Sequence, residues 1–309
     1  MLLSPSRHHP LSSSLLSVAF LGLGAIGMPI ARRLAGSFPL AVWNRTRAKT
    51  LELEASHAVR VAKSPAECAR GADVVITCLS TSADVESLLD GEDGLLAGLN
   101  DTAVLVDCTS GDPATSRRIA ARLMESGVEF LDAPVSGGVT GAREGTLTVM
   151  CGGDVRVLDR VRPVLAAFAK KIVHCGPIGT GDAVKAANQA LLAVHIWSAG
   201  EALTALSKAG VSASVALDVI NASSGRSNSS QNLFPERVLG RKFPRTFRLA
   251  LLDKDVGIAA DFARENGVPS PMIELAAALF RDARAELGEE ADHVEIVKVI
   301  EQRAGVEIS

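Results

Sequence analysis

Three observations predict an α/β protein: an N-terminal domain built on a parallel sheet, followed by an all-helical C-terminal domain. Short, uniformly apolar runs bounded by turn residues alternate with helical patterns up to about residue 176 of the 309. A glycine-rich turn directly follows the first of these runs. Beyond about residue 178 the strand signal is lost and only helical patterns remain. Apolar strands separated by helices mark a parallel sheet covered on both faces.

In chain order, residues 1–16 (MLLSPSRHHPLSSSLL) are rich in Ser, Pro and His and read as a disordered tail. Their apolar stretch is too broken for a good signal peptide. Strands are expected at 17–22 (SVAFLG), 40–43, 73–79 (DVVITCL), 103–108 (AVLVDC), 130–135 and 147–151. A helix is expected over 113–127, with Pro at its first turn and Gly as its stop. Residues 17–177 form the expected nucleotide domain. The helical domain, 178–309, carries helices at 180–209, 212–222, 251–266, 270–288 and 292–304. The first of these, with its buried part opening near Lys185, joins the two domains.

Composition narrows the function. Apolar residues make up 47% and charged residues 22%, the balance of an ordinary globular protein. The net charge is −3 with Lys and Arg dispersed, so no nucleic-acid surface is expected. No stretch of 18 uninterrupted apolar residues occurs, so no membrane span is expected. Cys68, Cys78, Cys108, Cys151 and Cys175 form neither a C-x-x-C nor a Cys/His cluster. They read as free thiols in a reducing, cytoplasmic compartment, and no metal site is expected.

The turn Gly22-Leu23-Gly24-Ala25-Ile26-Gly27-Met28 has the G-x-G-x-x-G spacing between a strand and a helix. One glycine makes the turn, one admits a pyrophosphate to the backbone, and one lets helix and strand pack closely. The helix N-terminus then offers N–H groups to phosphate. This is a Rossmann-type dinucleotide-binding start. At the end of the second strand, NAD-binding proteins place an acidic residue for the ribose hydroxyls. This chain has Asn44-Arg45-Thr46. Donors replace the acid, so NADP(H) is favoured over NAD(H), which stays possible.

Two further stretches carry chemistry. Ser136-Gly137-Gly138 follows an apolar run and exposes backbone N–H groups at a strand's carboxyl end. On sequence alone it reads equally as a carboxylate cradle or as a simple loop. Lys185 stands three residues before Asn188, on one helical face, and no charged residue follows until Glu201. A lone lysine there is ordinarily a snorkelling residue. The uncharged helix, the nearby amide and the upstream dinucleotide motif favour a catalytic lysine instead. Desolvation lowers a lysine's proton affinity, and a tuned lysine can exchange the proton that accompanies alcohol–carbonyl interconversion. His195, on the same helix, reads as structural.

In the blocks FLGLGAIGMPIA, DAPVSGGVTGAREGTL, GPIGTGDAVKAANQ and LLDKDVGIA, in this order, the chain resembles the β-hydroxyacid dehydrogenases from about Val18 onward. The resemblance implies cofactor contacts at Gly22 to Met28, at Asn44, Arg45 and Thr46, and at Leu79 and Ser110. It implies a substrate carboxylate at Ser136, Gly137 and Gly138, Lys185 as general acid/base, and Asn188 on the substrate. Lys254 and Asp255 would close over the nicotinamide end, and Phe247 would line the substrate. Lys185-x-x-Asn188-Gln189 looks more like the tartronate semialdehyde reductase branch than the 3-hydroxyisobutyrate branch. The implied activity is NADP(H)-dependent interconversion of small β-hydroxyacids and semialdehydes, in a homodimer or homotetramer formed through the helical domain. Two alternatives, an imine reductase and a non-catalytic dinucleotide-binding module, resemble the fold but lack this lysine.

Overall fold

A computed structural model describes residues 16–308. The expected tail, residues 1–16, lies outside the described residues except for Leu16. The N-terminal half contains β1 (Val18–Leu21), α1 (Gly27–Ala35), β2 (Leu40–Trp43), α2 (Arg47–Glu54), β3 (Arg60–Val61), α3 (Pro65–Ala69), β4 (Val74–Thr77), α4 (Ser82–Ser87), α5 (Leu95–Gly98) and β5 (Val104–Asp107). It continues with α6 (Pro113–Met124), β6 (Glu129–Asp132), β7 (Val135–Ser136), α7 (Gly138–Glu144), β8 (Leu147–Gly152), α8 (Val155–Leu165) and β9 (Ala169–Gly176). The helical half contains α9 (Thr180–Lys208), α10 (Ala213–Asn221), a π-helix (Ser229–Leu239), α11 (Leu249–Glu265), α12 (Pro271–Leu287), a 3₁₀ turn (His293–Glu295) and α13 (Ile296–Ala304).

Six strands run parallel in the order β3-β2-β1-β4-β5-β6. Alternate residues of these strands pack against helices on opposite faces. Phe20, Ile76 and Val106 enter one core with α1, and Ala19, Val75 and Leu105 enter the other. That two-sided burial is why the strands read as uniformly apolar.

The sheet differs from the sequence expectation at one edge. The expected strand 130–135 divides into β6 and β7, and β8 runs antiparallel to both. β9 then pairs parallel to β8, and β3 is a further short strand the sequence reading missed. Strand direction leaves no trace in hydropathy, which explains the first error. Lys170 and Lys171 are exposed on β9, so it lacks an apolar signature; charged residues on an outer strand also discourage pairing with other chains.

α9 begins at Thr180, one turn before Lys185, and spans 29 residues. Its N-cap, Gly179, has no side chain to cap the helix. Asp132, at the end of β6, does so from a distance: its carboxylate accepts from Gly179 N at 2.7 Å and Asp182 N at 3.0 Å. These are N–H groups a helix start leaves without partners. By length and composition alone α9 could cross a bilayer, which the criterion of uninterrupted apolar residues missed. Here it packs along α11, α12 and α13. At Gly200 a Cβ would lie 2.8 Å from Ile300 Cδ1, so α13 packs closely here and a larger residue would have to displace that side-chain end.

The uncharged stretch after Lys185 is not buried all round. Ala193, Ile196 and Trp197 enter the helical core, whereas Val184 and Leu191 stay 45% and 59% exposed.

Candidate active site

The turn between β1 and α1 has the form its three glycines demand. Gly22 adopts φ +107°, and a Cβ there would lie 2.3 Å from Cys78 O and 2.7 Å from Leu79 Cδ2. Leu79 is therefore packed directly against the turn, with its N–H donating to Thr109 Oγ1 at 2.9 Å. A Cβ on Gly27 would meet Gly22 O at 1.9 Å, so helix and strand touch backbone to backbone. Gly24 faces open space, with nothing within 4 Å of its Cβ direction. This leaves an open side on which a diphosphate can approach the backbone, and the residues present fit a dinucleotide. Ala25 is exposed, Ile26 and Met28 are half-buried, and Leu23 is buried, so only its backbone is available.

Asn44 holds this turn from β2. Its Oδ1 accepts from Leu23 N at 2.8 Å and its Nδ2 donates to Thr46 O at 3.0 Å. Much of its hydrogen-bonding capacity is thus committed to shaping the loop, where the sequence reading offered it as a free donor. Arg45 and Thr46 are exposed beside it.

Ser136 lies at the end of β7, and Gly137 and Gly138 follow with φ +132° and +65°. Both glycines are exposed, and the space beside Gly138 is open. The turn continues directly into α7, which packs against α1, so the carboxylate candidate and the glycine turn are structurally joined.

Lys185 sits in the second turn of α9 and is buried. Burial depresses its proton affinity below the ordinary lysine value; Lys254 adds to this and Asp255 opposes it. Among the described residues its ammonium has no hydrogen bond or ion pair. Asp255 is also buried, but it is shared: Gln189 Nε2 donates to its Oδ2 at 2.9 Å, and Lys254 Nζ lies 2.9 Å from its Oδ1. Lys254 Nζ also donates to Ser110 O, beyond the end of β5. Asn188 is exposed and donates to Gln189 Oε1 at 3.2 Å.

The structure therefore brings Lys185, Asn188, Lys254, Asp255 and Ser110 together at the junction of the two halves. Phe247 is held by other partners. The Phe247 N–H donates to Asp292 Oδ2 at 3.1 Å, and its ring packs edge-on against His293 at a centroid distance of 5.4 Å. His195 is exposed on α9. In the sequence Gln189 served only as part of the pattern that marks the branch. Its role as the amide that holds Asp255 needed the partner helix, which no local pattern supplies.

Comparison with known proteins places both halves in one family. Residues 17–176 match the family model described as the NAD binding domain of 6-phosphogluconate dehydrogenase. Residues 179–300 match the model described as NAD-binding of NADP-dependent 3-hydroxyisobutyrate dehydrogenase. A 3-hydroxyisobutyrate dehydrogenase of Pseudomonas aeruginosa is 36% identical, covering 85% of this chain and 90% of that protein. The 2-hydroxy-3-oxopropionate reductase of Escherichia coli is 33% identical, covering 94% and 98%. The solved Mycobacterium tuberculosis 3-hydroxyisobutyrate dehydrogenase with L-serine superposes with a TM-score of 0.85 at 32% identity, covering 93% and 99%. Cofactor type varies among similar proteins. An NAD-dependent L-serine dehydrogenase of Pseudomonas aeruginosa is 35% identical, covering 85% and 91%. Psf3, solved with NADP+, is 27% identical with a TM-score of 0.81, covering 92% and 99%. An imine reductase of Streptomyces aurantiacus shares the fold alone, at 20% identity and a TM-score of 0.61. Glycine turn, buried junction lysine and both matched halves lead to one assignment: the chain belongs to the β-hydroxyacid dehydrogenase family, as a dinucleotide-dependent oxidoreductase acting on CH–OH groups.

Proposed function

We propose that this protein interconverts small β-hydroxyacids and their semialdehydes with NADP(H), and that Lys185 moves the proton. The observation that carries this reading is the setting of Lys185: a buried lysine of depressed proton affinity, without a direct partner, at the junction between the glycine-turn domain and the helices. The backbone of Gly22 to Met28 would hold the dinucleotide, which when bound exchanges a hydride at its nicotinamide ring. Ser136, Gly137 and Gly138 offer a hydroxyl and open backbone for the substrate carboxylate. In oxidation, the neutral Lys185 amine accepts the hydroxyl proton; in reduction, its ammonium returns a proton to the developing alkoxide. Asn188 holds the substrate oxygen beside the lysine. Proton transfer of this kind contributes on the order of 10²–10⁴ in rate.

Exposed Arg45 and Thr46, with Asn44 rather than an acidic residue at the end of β2, support the preference for a 2′-phosphate. Assembly into a homodimer or homotetramer is the accompanying proposal, supported by the bare apolar residues of α9 and α12. Five free thiols fit a reducing, cytoplasmic setting.

Lys185→Met is expected to lose at least a hundredfold in turnover on short-chain semialdehydes and hydroxyacids, with the dissociation constant for NADPH unchanged. Near-normal turnover would reject the assignment. In the same assay, Arg45→Ala should raise KM for NADPH and leave KM for NADH unmoved; an equal rise for both would refute the cofactor preference.

A further inference from the structure

Two side chains of α9 flank Lys185 on one helical stripe. Asp182 stands three residues before it and Gln189 four residues after, so all three share a face. Both flanking residues are buried and both reach across to another element. Asp182 does not turn back on its own helix. Its Oδ1 accepts from Gly111 N at 3.0 Å and its Oδ2 accepts from Ser116 Oγ at 2.6 Å. Gln189 donates to Asp255, which pairs with Lys254.

The two branches meet at one peptide group. Lys254 donates to the carbonyl of Ser110, and the N–H of the same Ser110–Gly111 peptide donates to Asp182. The result is a closed ring: Asp182, the Ser110–Gly111 peptide, Lys254, Asp255, Gln189, and back along α9 past Lys185. It spans three elements, the strand-end loop after β5, α9 and α11. Gly111 shows how tightly it is built, since a Cβ there would lie 2.9 Å from Asp182 Oδ2 and 2.8 Å from Ser82 Oγ.

We infer that Asp182 and Gln189 are positioning residues for Lys185: they hold the Ser110–Gly111 peptide and the Lys254–Asp255 pair in one ring across the junction of the two halves, and so fix the lysine relative to the cofactor-side strand end. The inference rests on Lys185 as the proton carrier, although the ring itself does not. Each ring hydrogen bond restrains the next, so opening one loosens the whole. Displacement of a reacting group by about 1 Å costs up to about a hundredfold in rate. The charged groups facing Lys185 are Asp255 and Lys254, both from α11. Asp182 faces Asp132 and Asp107, and burial together with Asp132 drives its carboxyl towards the neutral form. A neutral amide at this position can therefore keep the bond from Gly111 N at its oxygen and hold Ser116 with the direction reversed, its Nδ2 donating to Ser116 Oγ.

The test uses Asp182→Ala, Asp182→Asn and Gln189→Met, alone and with Asp182→Ala combined with Gln189→Met. Two readouts are needed: kcat and KM with semialdehyde and NADPH, and the pH midpoint of Lys185 acylation by acetic anhydride in the cofactor-free protein. Asp182→Ala and Gln189→Met should each lower kcat by about ten- to a hundredfold with KM for NADPH within about twofold. Both should move the acylation midpoint upward, because an opened ring admits water to a lysine whose proton affinity is lowered mainly by burial. The double variant should be no worse than the weaker single, since either change opens the ring. Asp182→Asn should stay within about threefold of the unaltered enzyme.

Additive losses, or an Asp182→Ala that loses thermal stability with kcat and midpoint unmoved, would overturn the inference. If Asp182→Ala does not fold, Gln189→Met and Asp182→Asn still decide it, through the shifted midpoint in the first and its retention in the second. If Lys185→Met proves active, the proton-carrier reading fails alone, and the acylation midpoints continue to judge the ring.

Discussion

The role proposed for Lys185 rests on what surrounds it. Burial and Lys254 push its proton affinity down, and the Asp255 carboxylate pulls it back up. With Lys185 as the proposed proton carrier, hydroxyacid oxidation needs the neutral amine, so its rate should fall as pH drops through the depressed lysine value. Asp255→Asn removes the one group that favours the ammonium. The acidic limb of the kcat/KM profile for oxidation should therefore move to lower pH in that variant, whatever happens to the plateau height. A limb that stays in place would show that the Asp255 charge does not reach Lys185, and an upward move would show that opening the Gln189–Asp255–Lys254 links outweighs the lost charge. Lys185 and Asn188 were legible as a pair because helical spacing places them on one face. Gln189–Asp255 and Asp182–Gly111 were not, because each joins residues 66 or 71 positions apart.

Within elements, the β1–α1 turn shows how glycines at one spacing serve different ends. Gly27 is required by the protein itself, since its Cβ would enter Gly22 O. Gly24 is not, because its Cβ would point into free space. Gly27→Ala should therefore lose stability, by about 1–3 kcal/mol, visible as a lower Tm without cofactor. Gly24→Ala should melt like the unaltered protein and yet bind NADPH at least about tenfold more weakly, a loss of about 1.4 kcal/mol. If Gly24→Ala instead costs stability and leaves binding intact, the open side of the turn is not the diphosphate side. The same element-level view accounts for the start of α9. A glycine N-cap offers no side chain, and the distant Asp132 carboxylate takes over two of its free N–H groups.

For the molecule as a whole, α9 is both the bond between its halves and a wall of its helical half. One side enters the helical core. The other leaves Val184 and Leu191 bare, and Met272 and Leu275 on α12 are bare as well. Exposed side chains of this size on neighbouring helices fit the proposed assembly through the helical domain. Leu191→Glu should shift the protein to a smaller species in light scattering at matched concentration, with its circular dichroism unchanged. An unaltered assembly, or a monomer already in the unsubstituted protein, would place the interface elsewhere or remove it.

Sequence alone determined the alternation of apolar strands and helices, the glycine turn, the helical second half and the lysine with its neighbouring amide. Each is written in spacing or in apolar period, which local sterics and burial impose directly on neighbouring residues. Only the tertiary structure decided the reversed direction of β8, the bare side of α9, the packing of Phe247 against His293, and the remote Asp132 carboxylate at the start of α9. Those depend on which distant segments meet. A hydrogen bond between a helix and a loop some 70 residues away leaves no periodic mark on the chain.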